Sequence, residues 1–307
     1  MKKITFIIHG KHLRKHKIEY EAGKYLGKEF DPAFFITKSS RAAEELAEKN
    51  VRIGTDYLIA VGGDGTMSEV VNGIMRVPKS ERENLIVGLL PVGSGNDFAR
   101  SLKLSSEIQN LHELIRNNKI LQLDIGKLEY KSLDNEDKVH FFDNITDVGL
   151  GAEVAKRVNE GNKTYGPNLA FFTATITSFL RYKRKKIKIT SREFNYEGNV
   201  LILALANARY FGSGICIAPH AKINDGRIAV TLAGNVSLLD YLKNLSKIRR
   251  GEFVNLAEMH YKEVGNCLVE PIGEPCLIEA DGEMIGKIPL KVSMLHKELK
   301  FLSAVSE

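Results

Sequence analysis

Two domains of different texture are predicted: a parallel α/β domain over residues 1–122, then a β-rich, mostly antiparallel domain over 123–296. The tail, 297–307, is placed to pack back on the first domain. Three observations support this. Up to about residue 122, short apolar runs alternate with segments of helical spacing, the pattern of a parallel sheet covered by helices. Beyond it, short strand-like runs follow one another, separated by Gly, Asp-Gly or Asn turns, as in antiparallel pairing. The 307 residues also exceed the ~100–200 usual for one domain.

Taken in order, residues 3–8 (KITFII), 33–36, 56–61 (DYLIAV) and 85–90 (LIVGLL) read as strands buried on both faces. Residues 12–28, 39–50, 67–77 and 107–117 have helical spacing. Ser39-Ser40 precedes RAAEELAEK and is a candidate helix cap. In the second half, 121–130, 139–149, 185–191, 196–207, 214–218, 227–233, 266–270, 276–280 and 284–295 read as strands. Residues 150–160, 167–182 and 237–249 read as helices, and 299–305 as a last strand. Asn224-Asp225-Gly226 and Asp281-Gly282-Glu283 both read as hairpin turns.

Composition removes several classes. An apolar content of 43% rules out a disordered or collagen-like chain. Three scattered cysteines do not make a disulfide framework or a metal spacing, which fits a reducing, cytoplasmic setting. No apolar run reaches the ~18 residues of a membrane span. The net charge of +6 is concentrated locally, with six basic residues in the eight of RYKRKKIK at 181–188. Such clusters suit nucleic acid, phosphate ligands or an anionic membrane, or simply a solvated face. No nucleic-acid motif accompanies them, so no nucleic-acid partner is expected.

The chemistry is concentrated in two loops. Gly62-Gly63-Asp64-Gly65-Thr66 follows a buried strand and precedes a helix starting near Met67. Ligands of parallel sheets bind beyond the carboxyl ends of strands. Glycines let the backbone approach a phosphate, and a helix N-terminus offers it N–H groups. An Asp there opposes an anion unless a cation bridges them, so Asp64 points to Mg²⁺. The next strand ends in Pro91-Val92-Gly93-Ser94-Gly95-Asn96-Asp97, again with glycines, a hydroxyl and a carboxylate. Asn96 could equally serve as an N-cap alone. Together the loops suit a polyphosphate with metal. The sequence has no GxxxxGK[ST] loop, no protein-kinase signature set and no GxGxxG after the first strand.

GGDGT at 62–66 with Glu69, PVGSGNDFAR at 91–100, YFGSGICIAPHAKINDG at 210–226 and DGE at 281–283 resemble the diacylglycerol kinase catalytic family. That family includes soluble bacterial lipid kinases and sphingosine kinases. The resemblance runs from about residue 3 to about residue 300, with the motifs in order. It implies an NAD-kinase/diacylglycerol-kinase-like α/β domain, a β-rich second domain and an active site in the cleft between them. It also implies ATP and Mg²⁺ as cofactors and transfer of the γ-phosphate to a lipid hydroxyl, by default diacylglycerol to phosphatidic acid. In that reading Thr37, Gly62, Gly63, Asp64, Gly65, Thr66, Glu69, Gly93, Ser94 and Asn96 contact the nucleotide. Asp64 and Asp97 lie on the Mg²⁺ side, and Glu283 matches the catalytic base. Lys222, Asp225 and Arg227 match a structural Mg²⁺ loop, and the family allows a homodimer.

Two departures stand out. The family's Asn-Pro after the first strand is replaced by His9-Gly10-Lys11-His12, leaving Lys11 or Arg14 to face phosphate. Ser213 stands where a third glycine is usual. Alternative readings are a kinase of a sphingoid base, a polyprenol or an NAD-like acceptor, since NAD kinases share the GGDG loop, and a non-catalytic homologue. The excess charge and the missing span together imply a cytoplasmic protein that visits a membrane surface reversibly, with 181–188 assigned to the approach.

Overall fold

A computed structural model describes residues 1–12, 15–160 and 167–305. The chain forms two compact units. One comprises Met1–Asp124 with Lys297–Glu307, the other Ile125–His296.

The first unit contains β1 (Lys2–Ile8), α1 (Lys15–Leu26), β2 (Phe30–Ile36), α2 (Ala42–Arg52), β3 (Tyr57–Gly62), α3 (Asp64–Met75), α4 (Lys79–Arg82), β4 (Ile86–Pro91), α5 (Asp97–Ser101) and α6 (Ile108–Arg116). Its strands lie in the order β2-β1-β3-β4, all parallel. Ile4, Phe6 and Ile8 of β1 and Tyr57, Ile59 and Val61 of β3 share one core with Ile18 and Leu26 of α1 and Leu111 of α6. Ile7, Leu58 and Ala60, of opposite parity, are equally buried. Burial on both faces is why these strands read as unbroken apolar runs.

β5 (Ile120–Lys131) leads into the second unit. It is followed by β6 (Asp137–Phe142), β7 (Ile145–Gly149), α7 (Leu150–Glu160), α8 (Pro167–Arg181), β8 (Lys185–Thr190), β9 (Tyr196–Val200), β10 (Ile202–Ala206), β11 (Tyr210–Phe211) and β12 (Ile215–Cys216). Then come β13 (Ile228–Ala233), α9 (Leu238–Arg249), β14 (Met259–Val264), β15 (Asn266–Ile272), β16 (Leu277–Ala280) and β17 (Glu283–Leu302). The pairing within this unit is antiparallel, running β14-β13-β10-β7-β16-β17, with β15, β8 and β9 continuing from β17. Its core joins Phe142, Val148, Ile189, Leu203, Val230, Val269, Ile278 and Leu290. The three cysteines are free and buried.

β17 carries the chain back to the first unit, where Lys300 and Phe301 pair in parallel with Ile86 and Val87 of β4. Phe301 packs edge-on against Phe98, and Glu298 meets Lys79 at 2.8 Å and Arg82 at 2.6 Å. Burial works to raise the Glu298 pKa, but hydrogen bonds from these two cations hold it below the usual carboxylate range.

Several local expectations are corrected. Helix α3 begins at Asp64 rather than near Met67, so Asp64, Gly65 and Thr66 form its first turn and the connecting loop shrinks to the glycines before it. An acid there suits the positive end of the helix. Ser39 and Ser40 do not cap α2. Its N-cap is Arg41, with φ 62° and no side-chain cap, and the carboxylate of Glu69 takes its place. The run 139–149 divides into β6 and β7 because the amides of Asp143, Asn144 and Ile145 turn to the Asp281 carboxylate at 3.2, 3.2 and 3.0 Å. The run 196–207 divides into β9 and β10 around Leu201, whose N–H donates to Ala233 O at 2.9 Å. Segment 284–295 and residues 299–302 of the predicted last strand belong to the single strand β17, which ends at Leu302. Asp281-Gly282 is a two-residue hairpin turn with φ 47° and 95° joining β16 to β17. Asn224-Asp225-Gly226 joins β12 to β13, which do not pair with each other, and so is not a hairpin.

Candidate active site

In the order β2-β1-β3-β4 the chain reverses direction of winding at β1, and the crevice beyond the carboxyl ends at such a point is where open α/β sheets bind ligands. Every loop at that end carries candidate residues. After β1, Gly10 donates its N–H to Thr37 Oγ1 at 2.9 Å, joining this loop to the end of β2. A Cβ on Gly10 would overlap the Thr37 carbonyl oxygen, so the replacement of Asn-Pro by His9-Gly10 allows a close backbone approach. Lys11 is exposed, and Arg14 lies outside the described residues.

After β3 and β4 the two glycine-rich loops touch. A Cβ on Gly93 would overlap the Gly63 Cα, and one on Gly63 would sit 3.1 Å from the Gly93 Cα. The approach requires glycine at 93 and leaves only tight space for a side chain at 63. Asp64 then crosses between the loops: its Oδ2 accepts from the Asp97 N–H at 3.2 Å and its Oδ1 from the Phe98 N–H at 3.1 Å. It therefore caps α5, the role open to Asn96. Asn96 adopts φ 54° and folds its amide back on Gly93, accepting from the Gly93 N–H at 3.1 Å and donating to its carbonyl at 2.8 Å. Ser94 at the loop tip is exposed. Asp97 is buried, with Arg100 at 3.6 Å. Gly62 is buried and Gly65 half-buried. Thr66 is buried, and its side chain fills the space beside Gly62.

Gly63 brings no side-chain cap to α3, so the first-turn amides of that helix are left for other acceptors. A carboxylate has about four acceptor positions, so the two amide bonds of Asp64 leave it capacity for a cation. Among the described residues no group of three or more His, Cys, Asp or Glu could hold a metal. Mg²⁺ is usually held by one or two carboxylates together with substrate phosphates, and Asp64 fits that pattern. Glu69 accepts from the Arg41 and Ala43 N–H groups at 3.1 and 3.0 Å, anchoring α2.

The remaining candidates belong to the second unit. Glu283 is exposed at the first residue of β17. The turn before it is held on both sides: Asp281 accepts the three amides at the start of β7, and Glu279 accepts the Gly282 N–H. Asp225 Oδ1 accepts from the Arg227 N–H at 2.9 Å, and the Arg227 guanidinium pairs with Glu193 at 2.9 Å. Lys222 is exposed. With two cationic side chains, this loop could hold a cation only through the side-chain oxygens of Asn224 and Asp225 and backbone carbonyls.

Sequence reasoning passed over a buried carboxylate pair beneath the Glu283 hairpin. Asp147 on β7 lies directly opposite Glu279 on β16. Burial pushes the pKa of Asp147 up to about 6, and burial, then the Asp147 charge, drives Glu279 well above the carboxylate range. Burial also raises Asp281, against the amides that favour its anion. The signal was available as acids inside the apolar runs ITDVG and LIEA.

Residues 3–128 match the diacylglycerol kinase catalytic domain, and residues 144–303 match the YegS C-terminal NAD kinase beta sandwich-like domain. A diacylglycerol kinase of Staphylococcus saprophyticus is 26% identical over 260 residues, covering 85% of this chain and 81% of its own. In fold, the chain is similar to a diacylglycerol kinase from Bacillus anthracis str. Sterne, with TM-score 0.72, 17% identity and coverage of 98% and 97%. It is also similar, more distantly, to a yeast NADH kinase, with TM-score 0.53, 12% identity and coverage of 99% and 84%. A fold of this kind, carrying the two touching glycine-rich loops and matched along both units, places the chain in the diacylglycerol kinase/YegS-like lipid kinase family.

Proposed function

We propose that the protein transfers the γ-phosphate of ATP to the hydroxyl of a membrane lipid, with diacylglycerol as acceptor and phosphatidic acid as product. The observation that carries this reading is the contact of the Gly63 and Gly93 loops, braced by Asp64, at the carboxyl ends of adjacent parallel strands. Phosphoryl transfer needs positioning and charge neutralisation more than covalent chemistry. In this reading the two loops and the α3 N-terminus orient the phosphates, with Thr37 and Ser94 adding hydroxyls. Asp64, with Asp97, would hold Mg²⁺, which would supply charge neutralisation to the phosphates. Glu283 accepts the proton of the lipid hydroxyl, whose oxygen forms the new bond to the γ-phosphorus while the bond to the bridging oxygen breaks and ADP leaves. General-base assistance of this kind contributes roughly 10²–10⁴-fold. Asp225, with carbonyls of the Lys222–Arg227 loop, would hold a structural Mg²⁺. Among the described residues no helix is long and apolar enough to cross a membrane, and the enzyme reaches its acceptor by reversible association with the bilayer surface.

The test is transfer from radiolabelled ATP to a total lipid extract, to diacylglycerol vesicles and to NAD, with product identification. Label in phosphatidic acid is expected, together with its near-complete loss in Glu283→Gln at unchanged thermal stability. Label in NAD alone, or wild-type turnover in Glu283→Gln, would overturn the acceptor or the base assignment respectively.

A further inference from the structure

The helices α8 and α9 carry side chains that the phosphate site does not use. The inner face of α8 packs Phe171, Ala174 and Phe179, and Tyr182 just after the helix, against Leu150, Val154, Leu201 and Val236. Its outer face places Leu169, Phe172, Ile176 and Leu180 at helical spacing, with Leu180 71% exposed. In α9 no residue is fully buried. Its exposed stripe is Leu239, Leu242, Lys243, Lys247 and Arg249, again one helical face. The helices adjoin: the Phe179 and Tyr241 rings lie 5.8 Å apart, and Phe172 of α8 and Arg249 of α9 line the same shallow recess. Leucine and phenylalanine are thus set beside lysine and arginine on neighbouring helices.

The exposed charge of α8 and α9 themselves is basic, while just past α9 the Arg250 side chain is paired with Glu252 at 2.6 Å. Across α8 and α9 the single acid is Asp240, and it is occupied in a capping box with Ser237. Arg181 and Lys183 extend the basic edge beyond α8. The rest of the basic run behaves differently. In β8, Ile187 and Ile189 point inward and Lys186 and Lys188 outward, the ordinary alternation of a half-buried strand. Lys188 stands in register between Glu197 on one neighbouring strand and Glu270 on the other, which offsets its charge.

We propose that the outer faces of α8 and α9 form the surface by which this protein docks on an anionic bilayer, with Leu169, Phe172, Leu180, Leu239 and Leu242 entering the headgroup boundary and Lys243, Lys247 and Arg249 contacting lipid phosphates. Apolar side chains flanked by Lys and Arg are what an in-plane interfacial helix requires. A second copy of the chain fits poorly. A two-fold contact sets a patch against itself, so Lys243 and Lys247 would face their own like charges. An anionic leaflet meets the same groups with opposite charge over a Debye length of about 8–10 Å. The proposal deepens the lipid-acceptor reading but is separable from it, because docking requires no catalysis.

The experiment is cosedimentation of the full chain, without ATP, with vesicles of phosphatidylglycerol and phosphatidylcholine or of phosphatidylcholine alone. Three variants are compared: Leu180→Ser/Leu239→Ser, Lys243→Glu/Lys247→Glu and, on β8, Lys186→Glu/Lys188→Glu. Wild type should bind the anionic vesicles and release in high salt. Each α8/α9 variant should lose on the order of 10-fold or more in partitioning at unchanged melting temperature, while the β8 variant should bind as wild type. Equal binding by all proteins, loss confined to the β8 variant, or salt-independent binding to pure phosphatidylcholine would overturn the proposal. So would a dimer in solution that the α8/α9 variants dissociate. Transfer to a detergent-dispersed acceptor should be unchanged in the α8/α9 variants. If wild type shows no transfer there, the lipid-kinase reading fails while the docking result stands by itself.

Discussion

Replacing Asp147 with Asn should stabilise this protein at neutral pH, by an amount that depends on pH. Asp147 is fully buried and faces Glu279 directly across the β7–β16 pair. The first turn of α7 closes over it, since a Cβ on Gly151 would overlap the Asp147 carboxylate. The Glu153 and Tyr182 side chains act on the same pocket, and neither brings positive charge. Burial raises the Asp147 pKa from 3.8 to about 6. Below the unfolded value both states hold the proton, and Asp147 contributes no penalty. As the pH rises toward the folded value, the unfolded chain releases its proton first and stability falls. Above about 6 the full penalty is present. Two units at 1.36 kcal/mol each make a penalty on the order of 3 kcal/mol, shared by the facing carboxylates of Asp147 and Glu279, which titrate together. Asparagine has nearly the same shape and carries no charge, so the variant should exceed wild type by up to about 3 kcal/mol at pH 8 and converge with it near pH 4. Urea unfolding of both proteins across this range measures the difference directly. A gain independent of pH, or a loss at pH 8, would refute the assignment of a buried, charge-penalised carboxylate.

Two further perturbations probe the first unit. Gly93→Ala places a methyl group into the Gly63 backbone. It should cost about 1–3 kcal/mol and abolish nucleotide binding by calorimetry, whereas unchanged stability and affinity would mean that the loops separate without penalty. Glu69→Ala removes the acceptor of the Arg41 and Ala43 amides and should lower stability by about 0.5–2 kcal/mol with nucleotide affinity retained. Loss of affinity at full stability would instead make Glu69 a nucleotide contact.

The periodic features of the fold were legible because they depend on neighbours in sequence. Strands such as KITFII and DYLIAV are apolar throughout because helices cover both faces, and KIKIT alternates because only one face of β8 is buried. Asp281-Gly282 read correctly as a hairpin turn because left-handed conformations favour these residues. Asn224-Asp225-Gly226 carries the same local signal and fails as a hairpin, since pairing of the flanking strands depends on remote partners.

The candidate site divides along the same line. By itself the sequence determined that glycine-rich turns bearing Asp64 and Asn96-Asp97 end buried strands, because strand, glycine and helix signals are all local. Only tertiary structure decided what those side chains do. Asp64 holds the amides of α5 from another loop, Glu69 replaces Ser39-Ser40 as the anchor of α2, and Asp147 meets Glu279 from the far side of the chain. The basic run at 181–188 likewise had one sign in sequence but two environments in space. Arg181 and Lys183 are exposed at the end of α8, whereas Lys188 lies between two glutamates of neighbouring strands. A carboxylate's or lysine's role is set by which groups come within a few ångströms of it, and most of those groups here are tens of residues away in the chain.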